Sequence, residues 1–314
     1  MDRVRRVIGA WKTDERGIRG KGVGVAVLDT GVSPHPDFGG RIVCFRDFVG
    51  GRVGIYDDCS HGTHVCGILG GSGAASAGKY RGIAPECRLI GLKVLDHKGN
   101  GRKEDMLRGI AWAVNNREAY GIRILNISVG TVRESASMDR QLTEAVERAW
   151  DAGLVVVVAA GNMGPEPMSI TVPGNSRKVI TVGASDDCTP GGAGGVKPCY
   201  SGRGPTGECI CKPDISAPGS AIVSCNGILR RGAGHYTRKS GTSMATPAVS
   251  GSIALLLSRE PELTNVEVKM RLYRTARDLG LPRQRQGWGQ IDAWRLLMGN
   301  PPVDNGKIMH YYRT

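Results

Sequence analysis

Residues 241–251 read Gly-Thr-Ser-Met-Ala-Thr-Pro-Ala-Val-Ser-Gly, and they open a predicted helix that continues to about Ser258. Ser243 lies at the start of this helix, where free backbone N–H groups and the helix dipole favour negative charge. Pro247 falls in or near the first turn, where a missing N–H costs least. The helix is then small or apolar on every face, which is typical of a buried helix. The stretch therefore predicts a serine hydroxyl at the N-terminus of a helix that runs through the core.

The rest of the chain alternates short apolar runs with segments of helical periodicity. The predicted strands are 21–28, 88–95, 122–128, 154–160, 179–184 and 221–224, and the predicted helices are 61–69, 103–116 and 139–152, with others starting at 243 and near 264 and 292. This alternation predicts an α/β fold of three α/β/α layers with a mainly parallel central sheet. Ligand sites in such sheets lie beyond the carboxyl ends of the strands. Asp29, Ser128 and Asn162 all occupy such ends.

The composition is that of an ordinary globular protein, with 314 residues, 40% hydrophobic and 23% charged. No apolar run reaches the roughly 18 residues of a membrane span, and the first nine residues contain no apolar segment typical of a signal peptide. We therefore expect no membrane association. The net charge is +13, but no nucleic-acid-binding motif accompanies it, so we expect a solvated basic surface rather than a nucleic-acid partner. No feature of the sequence indicates an oligomeric state.

The nine cysteines are odd in number and scattered. This pattern argues against a secreted disulfide framework and favours reduced thiols in the cytoplasm. Cys188, Cys199, Cys209 and Cys211 cluster in one loop-rich region, where a metal site is an alternative. Their spacing matches no common zinc pattern, so we expect no metal there.

Three further residues supply what acyl transfer by a serine requires, which is a base, a carboxylate that orients it and donors for the oxyanion. Asp29 ends the first predicted strand, His61 opens the first predicted helix, and Asn162 follows the most apolar strand. Each has an ordinary explanation when taken alone. An Asp at a strand end often caps a turn, an Asn often lies in a turn, and His61 with His64 has the spacing of a metal-binding pair, although no Glu stands between them.

Taken together, the four segments resemble the subtilisin-like serine proteases, the subtilase family. The segments are Val-Leu-Asp-Thr-Gly at Asp29, Ser-His-Gly-Thr-His at His61, Ala-Ala-Gly-Asn ending at Asn162, and the stretch around Ser243. Their chain order of Asp, His and Ser is that of subtilisin and differs from that of chymotrypsin or the α/β-hydrolases. The resemblance extends over about residues 20–298, includes 203–205, 212–219 and 287–289, and in character is closest to intracellular bacterial members.

The resemblance implies a serine endopeptidase that acts on a peptide or protein substrate. Ser243 is then the nucleophile, His61 the base, Asp29 the carboxylate that orients it, and Asn162 an oxyanion donor. The backbone at 99–101 and 128–130 is expected to pair with an extended substrate, and the segments 128–130, 159–161 and 163–173 to line a pocket for a neutral or apolar P1 side chain. The predicted substrate-binding residues are Gly99, Asn100, Gly101, Ser128, Val129, Gly130, Ala159 and Gly161.

The same resemblance divides the chain into an N-terminal extension (1–20), a peptidase domain (21–298) and a C-terminal tail (299–314). It implies no cofactor or metal for the chemistry and leaves a structural calcium ion open. Asp37 matches one ligand of the family's calcium site, but the loop 70–80 has neither carboxylate nor Asn, so only backbone carbonyls remain as ligands there. The alternative function is that of a non-catalytic scaffold or signalling protein, although all four catalytic candidates are retained.

Overall fold

The computed structural model describes residues 1–130, 136–188, 198–228 and 233–299. A seven-stranded sheet in the order β2-β3-β1-β4-β5-β6-β7 forms its centre, and every neighbouring pair is parallel. Two further strands, β8 and β9, form an antiparallel pair outside it. The strands are β1 Gly24–Asp29, β2 Ile42–Asp47, β3 Arg88–Lys93, β4 Ile122–Ile127, β5 Val155–Ala159, β6 Ile180–Ala184, β7 Ile215–Ala217, β8 Ile222–Cys225 and β9 Tyr236–Lys239.

Helices cover both faces of the sheet, so the predicted three-layer α/β/α fold is confirmed. The helices of the described residues are α1 Asp2–Val7, α2 His61–Gly70, α3 Lys103–Asn115, α4 Arg117–Tyr120, α5 Ala136–Asp151, α6 Thr242–Arg259, α7 Asn265–Thr275, α8 Arg283–Gln286 and α9 Ala293–Met298. Helix α2 packs against α6, and α3 packs against α5. Short 3₁₀ segments span Ala10–Arg16 and Ala74–Ser76.

Burial explains why the central strands were recognisable from sequence. Every residue of β5 is buried, because a parallel strand with helices on both faces has no solvent-facing side. Helix α6 is buried from Thr242 to Leu257 except at Ser243, as its lack of a polar face predicts. Pro247 is the sixth residue of α6, just past the first turn. Its ring removes the N–H that would bond to the carbonyl of Ser243.

Four strands differ from the sequence prediction, since β2, β7 and β9 were not predicted and β8 pairs differently. The predicted strand 221–224 exists as β8, but it pairs antiparallel with β9 instead of joining the parallel sheet. Strand β2 was not predicted, because this edge strand is nowhere fully buried and carries Arg46 and Asp47. Neither its hydrophobicity nor its length separates it from a loop.

The first 18 residues pack on the same core as the sheet. Met1, Val4, Ile8 and Ala10 are buried among the core side chains. The buried Arg5 donates from Nη2 to Asp14 at 2.6 Å. Among the described residues, no helix combines the length and apolarity that crossing a membrane requires. Residues 300–314 of the predicted tail lie outside the described part of the chain.

The predicted cysteine cluster contains one disulfide bond, between Cys188 and Cys199. Cys209 and Cys211 are free and exposed. Because two of the four thiols are bonded to each other, the four cysteines cannot act together as metal ligands. The other cysteines are also free, at positions 44, 59, 66, 87 and 225.

Candidate active site

Asp29 and His61 form a hydrogen-bonded pair at the carboxyl edge of the sheet. Asp29 is the last residue of β1 and is fully buried, and His61 is the first residue of α2. His61 Nδ1 lies 2.7 Å from Asp29 Oδ1 and donates to it, since a carboxylate only accepts. The backbone N–H of Thr30 donates to the same oxygen at 2.7 Å. About a quarter of the His61 side chain is exposed, and Nε2 takes no part in the bond to Asp29.

The Asp29 carboxylate stabilises the protonated form of the His61 imidazole. Burial lowers the pKa of His61, but the negative charge of Asp29 and its hydrogen bond outweigh burial, so the pKa of His61 lies above its ordinary value. The nearby cation Lys239 opposes this increase. At His64 no carboxylate outweighs burial, which lowers the pKa to about 3, so this residue is neutral at physiological pH.

The alternative in which His61 and His64 bind a metal is not supported. His61 Nδ1 is occupied by Asp29. His64 Nε2 lies 3.1 Å from the carbonyl of Ile222 and 3.2 Å from that of Thr237, to which it donates. The lone pairs are on the other two nitrogens, His61 Nε2 and His64 Nδ1, but among the described residues neither histidine belongs to a group of three possible metal-binding side chains.

A buried carboxylate that the sequence analysis missed, Asp57, ties the ends of β1 and α2 together. Its Oδ1 accepts from the hydroxyl of Thr30 (2.8 Å) and from the backbone N–H groups of Cys59 (3.1 Å) and Ser60 (2.8 Å). Its Oδ2 accepts from the N–H (2.8 Å) and hydroxyl (2.7 Å) of Thr63. Its position four residues before His61 was the only available signal, because all five donors are recognisable only in the folded chain.

Asn162 contacts the start of α6 at Thr242, the residue before Ser243. Ser243 is the second residue of α6 and is partly exposed, and Asn162 follows the end of β5. Asn162 Oδ1 accepts from the N–H of Thr242 at 2.9 Å and from its hydroxyl at 3.0 Å. A Cβ atom at Gly241 would lie 3.2 Å from Asn162 Nδ2. The amide side chain is therefore fixed beside the residues that precede Ser243, with its NH₂ end near the backbone of Gly241.

The sheet brings these two pairs to the same edge. Strands β1 and β5 are both parallel neighbours of β4, so Asp29 at the end of β1 and Asn162 after the end of β5 lie at the same edge of the sheet. Helices α2 and α6, which begin with His61 and with Thr242 and Ser243, pack against each other. The fold thus assembles all four predicted catalytic residues on one side of the molecule.

The predicted substrate-binding segments border the same edge. The turn 99–101 follows β3 and is exposed, and Asp96 Oδ1 holds it by accepting from the N–H groups of Lys98 (2.8 Å) and Asn100 (2.9 Å). The segment 128–130 follows β4, with Ser128 buried, Val129 half-buried and Gly130 exposed. Ala159 is the last residue of β5, Gly161 lies two residues later, and both are buried.

Comparison with known proteins agrees with this geometry. The model of the subtilase family, Peptidase_S8, matches residues 20–289.

The chain belongs to the subtilase family.

Named relatives and solved structures support this membership. Serine protease AprX of Bacillus subtilis (strain 168) is 46% identical over 267 residues, which are 80% of this chain and 60% of AprX. Subtilisin Savinase of Lederbergia lenta is 34% identical over 265 residues, covering 84% of this chain and 87% of Savinase. The solved structure of sphericase has a TM-score of 0.69 at 32% identity and covers 82% of this chain and 84% of that one. The chain thus spans about 60% of the length of AprX.

Subtilases need no cofactor for catalysis, and where they bind calcium its role is commonly structural. The residues around Asp37 do not fit such an ion in this subtilase. Asp37 Oδ2 accepts from the N–H of Gly73 (3.1 Å) and from the thiol of Cys225 (3.6 Å). Its Oδ1 accepts from the N–H of Ala75 (2.9 Å), and the hydroxyl of Tyr236 lies within 3.0 Å of both oxygens. Calcium requires six to eight oxygen ligands, whereas this carboxylate is surrounded by donors.

His35 completes the only cluster of possible metal-binding side chains found among the described residues. Atoms of His35, Asp37 and Cys225 lie within 4.8 Å of one another, and all three residues are buried. His35 Nδ1 accepts from the N–H of Asp37 at 3.1 Å, and Nε2 donates to the carbonyl of His235 at 2.8 Å. Burial lowers the pKa of His35, so the ring is neutral. Each side chain of the cluster therefore already has hydrogen-bond partners within the protein.

Proposed function

We propose that this chain is a serine endopeptidase in which Ser243 attacks the peptide carbonyl. The observation that carries the proposal is the 2.7 Å bond between His61 Nδ1 and Asp29, on the helix that packs against the one carrying Ser243. This bond fixes the imidazole tautomer so that Nε2 carries the lone pair. A lone pair in that position takes the proton of the serine hydroxyl during attack.

Asp29 stabilises the imidazolium that forms when His61 accepts the proton. The same attraction between the Asp29 carboxylate and the imidazolium raises the pKa of His61 in the resting protein. The protonated His61 then donates to the leaving amine, and water hydrolyses the acyl-enzyme with His61 acting again as base. Neither step requires a metal or a cofactor.

Asn162 and the backbone N–H of Ser243 are the proposed oxyanion donors. Because the oxygen of the Asn162 amide accepts from Thr242, its NH₂ group is the end that remains for a substrate. The N-terminus of α6 adds its dipole at the position where negative charge develops. Donors that are fixed before the reaction stabilise the oxyanion without reorganisation, which is why they contribute strongly to catalysis.

The proposed substrate is an extended peptide that pairs with the backbone at 99–101 and 128–130. At Gly99 no atom lies within 4 Å of the place where a Cβ would stand, so this part of the backbone is open to an approaching strand. We propose a neutral or apolar P1 preference, because the segments 128–130 and 159–161 present small or apolar side chains. Glu166, the charged residue of the adjoining loop, has an exposed side chain.

The direct test is intact-mass spectrometry after exposure to a fluorophosphonate, combined with hydrolysis of peptide substrates. The wild type should gain one adduct on Ser243, and the adduct should be lost in Ser243→Ala and strongly reduced in His61→Ala. Peptide hydrolysis should disappear in both variants. A folded wild type that neither reacts nor cleaves peptides would contradict the proposal and favour a non-catalytic scaffold.

Two further assignments remain proposals. We propose that residues 21–298 form the peptidase domain, with 1–20 as an extension that packs on it and 299–314 as a tail. We also propose a cytoplasmic location, supported by seven free cysteines against one disulfide bond. Cell fractionation with thiol labelling tests the location, and oxidised thiols in a secreted fraction would contradict it.

A further inference from the structure

Helix α7 presents a stripe of large apolar side chains to the surface. Val266, Met270 and Tyr273 are 55%, 43% and 51% exposed. Their spacing of four and three residues places them on one face of the helix, and the opposite face is buried. A groove of about 400 Å³ lies beside the stripe, and Trp150 and Trp288 form part of its lining. An apolar surface of this kind is typical of a contact between proteins.

The protein holds α7 in place, so the stripe is already formed. At the start of the helix, the side chain of Asn265 donates to the carbonyl of Leu154 at 3.2 Å. In the middle, Lys269 Nζ donates to the carbonyl of Val179 at 3.0 Å. Leu154 and Val179 directly precede β5 and β6, so α7 is anchored at the amino edge of the sheet. The stripe therefore lies away from the carboxyl edge, which carries the candidate active site.

Two charged residues of opposite sign flank the stripe. Glu267 and Arg274 are both exposed, the acid in the first turn of α7 and the base in the last. They are seven residues apart, so they lie on the same side of the stripe. In the heptad notation of paired helices, Val266, Met270 and Tyr273 occupy positions d, a and d, and the two charged residues both occupy position e.

The position of these charges determines which pairing of two such helices is favourable. In an antiparallel pair with a two-fold axis near Met270, position e faces position e of the other helix. Glu267 of each copy then faces Arg274 of the other copy. In a parallel pair, position e faces position g, which brings Arg274 towards the cation Lys269. The charges of α7 therefore complement those of a second, antiparallel α7.

We propose that α7 forms the contact between two copies of this chain, which pair antiparallel across Val266, Met270 and Tyr273 as a symmetric dimer. The same surface of both copies meets in a two-fold contact, so that surface must complement itself. The stripe and its two flanking charges meet this requirement. A helix of 11 residues offers less than the roughly 1,200 Å² of a stable interface, so the dimer is weak and dissociates on dilution.

Sedimentation equilibrium of the Ser243→Ala chain, which excludes self-cleavage, measures the association. We expect monomer and dimer in exchange, with a dissociation constant of about 1–100 µM. Met270→Glu places two carboxylates opposite each other at the axis and should remain monomeric. Val53→Glu is the matched control, because Val53 is 97% exposed and follows β2, at the far end of the sheet from β7. A parent that stays monomeric at about 1 mM, or a Met270→Glu variant that dimerises as well as the control, would overturn the proposal.

Charge reversal tests the antiparallel pairing itself. Glu267→Arg and Arg274→Glu each convert both attractive pairs into repulsive ones, so each variant alone should dimerise roughly 10–30-fold more weakly than the parent. A mixture of the two variants should associate as tightly as the parent, because arginine in one copy then faces glutamate in the other at both ends. Since Glu267 also caps α7 through Thr264, circular dichroism first establishes that each variant is folded. A mixture that associates no more tightly than its components would refute the antiparallel contact.

Discussion

Replacement of Asp57 by alanine should destabilise the fold and displace His61 at the same time. The carboxylate accepts five hydrogen bonds from Thr30, Cys59, Ser60 and Thr63, three of them from backbone N–H groups. A buried donor left without a partner costs about 1–3 kcal/mol. Water and local relaxation recover part of that sum, so we expect the free energy of unfolding to fall by about 3–5 kcal/mol, as when one partner of a buried charged network is removed.

The same substitution should slow catalysis, because Asp57 connects the two turns that hold the catalytic pair. Thr30, which bonds to Asp57, follows Asp29 directly, and its hydroxyl accepts from the N–H of Gly62, next to His61. A misplacement of about 1 Å between reacting groups lowers turnover roughly 10²-fold. We expect kcat to fall by that order, with a smaller effect on KM.

Urea unfolding measures the stability, on a Ser243→Ala background that removes self-cleavage, and kinetics with titrated active sites measure kcat in enzyme that retains Ser243. Asp57→Asn is the milder variant, because it keeps one acceptor oxygen and the volume of the side chain. Asp151→Asn is the matched control, since the exposed pair of Asp151 with Lys178 should contribute no more than about 1 kcal/mol. If Asp57→Ala were no less stable than this control and kept its kcat, the positioning role of Asp57 would be refuted.

Three further predictions follow from the contacts of the site. Asn162→Ala should lower kcat by roughly 10²–10³ in active-site-titrated kinetics, the effect of losing one oxyanion donor, and an unchanged kcat would remove Asn162 from that role. Lys239→Met should raise the pKa of His61, because the positive charge of Lys239 lowers that pKa. Since His61 acts as a base only when neutral, the acid limb of the plot of kcat/KM against pH should move to higher pH. An acid limb that stays in place would contradict this prediction. Adding calcium or a chelator should leave the unfolding temperature unchanged, and stabilisation by calcium would show that the donors around Asp37 rearrange. Tyr236→Phe should lower the free energy of unfolding by about 1–3 kcal/mol, because the hydrogen bond to Asp37 is lost.

Most of the central fold was predictable from local pattern. Strands β1, β3, β4, β5 and β6 are short apolar runs, because burial on both faces removes any need for polar residues. The helices between them show their periodicity for the opposite reason, since one face of each meets solvent. The half-exposed edge strand β2 has neither signature and was missed, and the pairing of β8 with β9 depends on a partner that no local pattern indicates.

In the candidate site, too, residues in local motifs were predicted, and residues defined by long-range contacts were not. Asp29, His61, Asn162 and Ser243 were recognisable because each lies in a short motif at the end of a predicted element. Asp57 was not recognised, although it lies four residues before His61. Its hydrogen-bond donors come from the end of β1 and from the start of α2, and they meet at Asp57 only in the folded chain.

The sequence by itself determined the alternating architecture, the order of the catalytic candidates and the element on which each lies, because these depend on residues near one another in the chain. Only the tertiary structure decided which groups surround them. Tyr236 and Asp37 are 199 residues apart, yet their bond helps to fill a position where the sequence left a calcium ion open. Thr171 reaches Gly130 across 41 positions of the chain. Such contacts are set by how strands and loops pack in three dimensions, so neither composition nor periodicity specifies them.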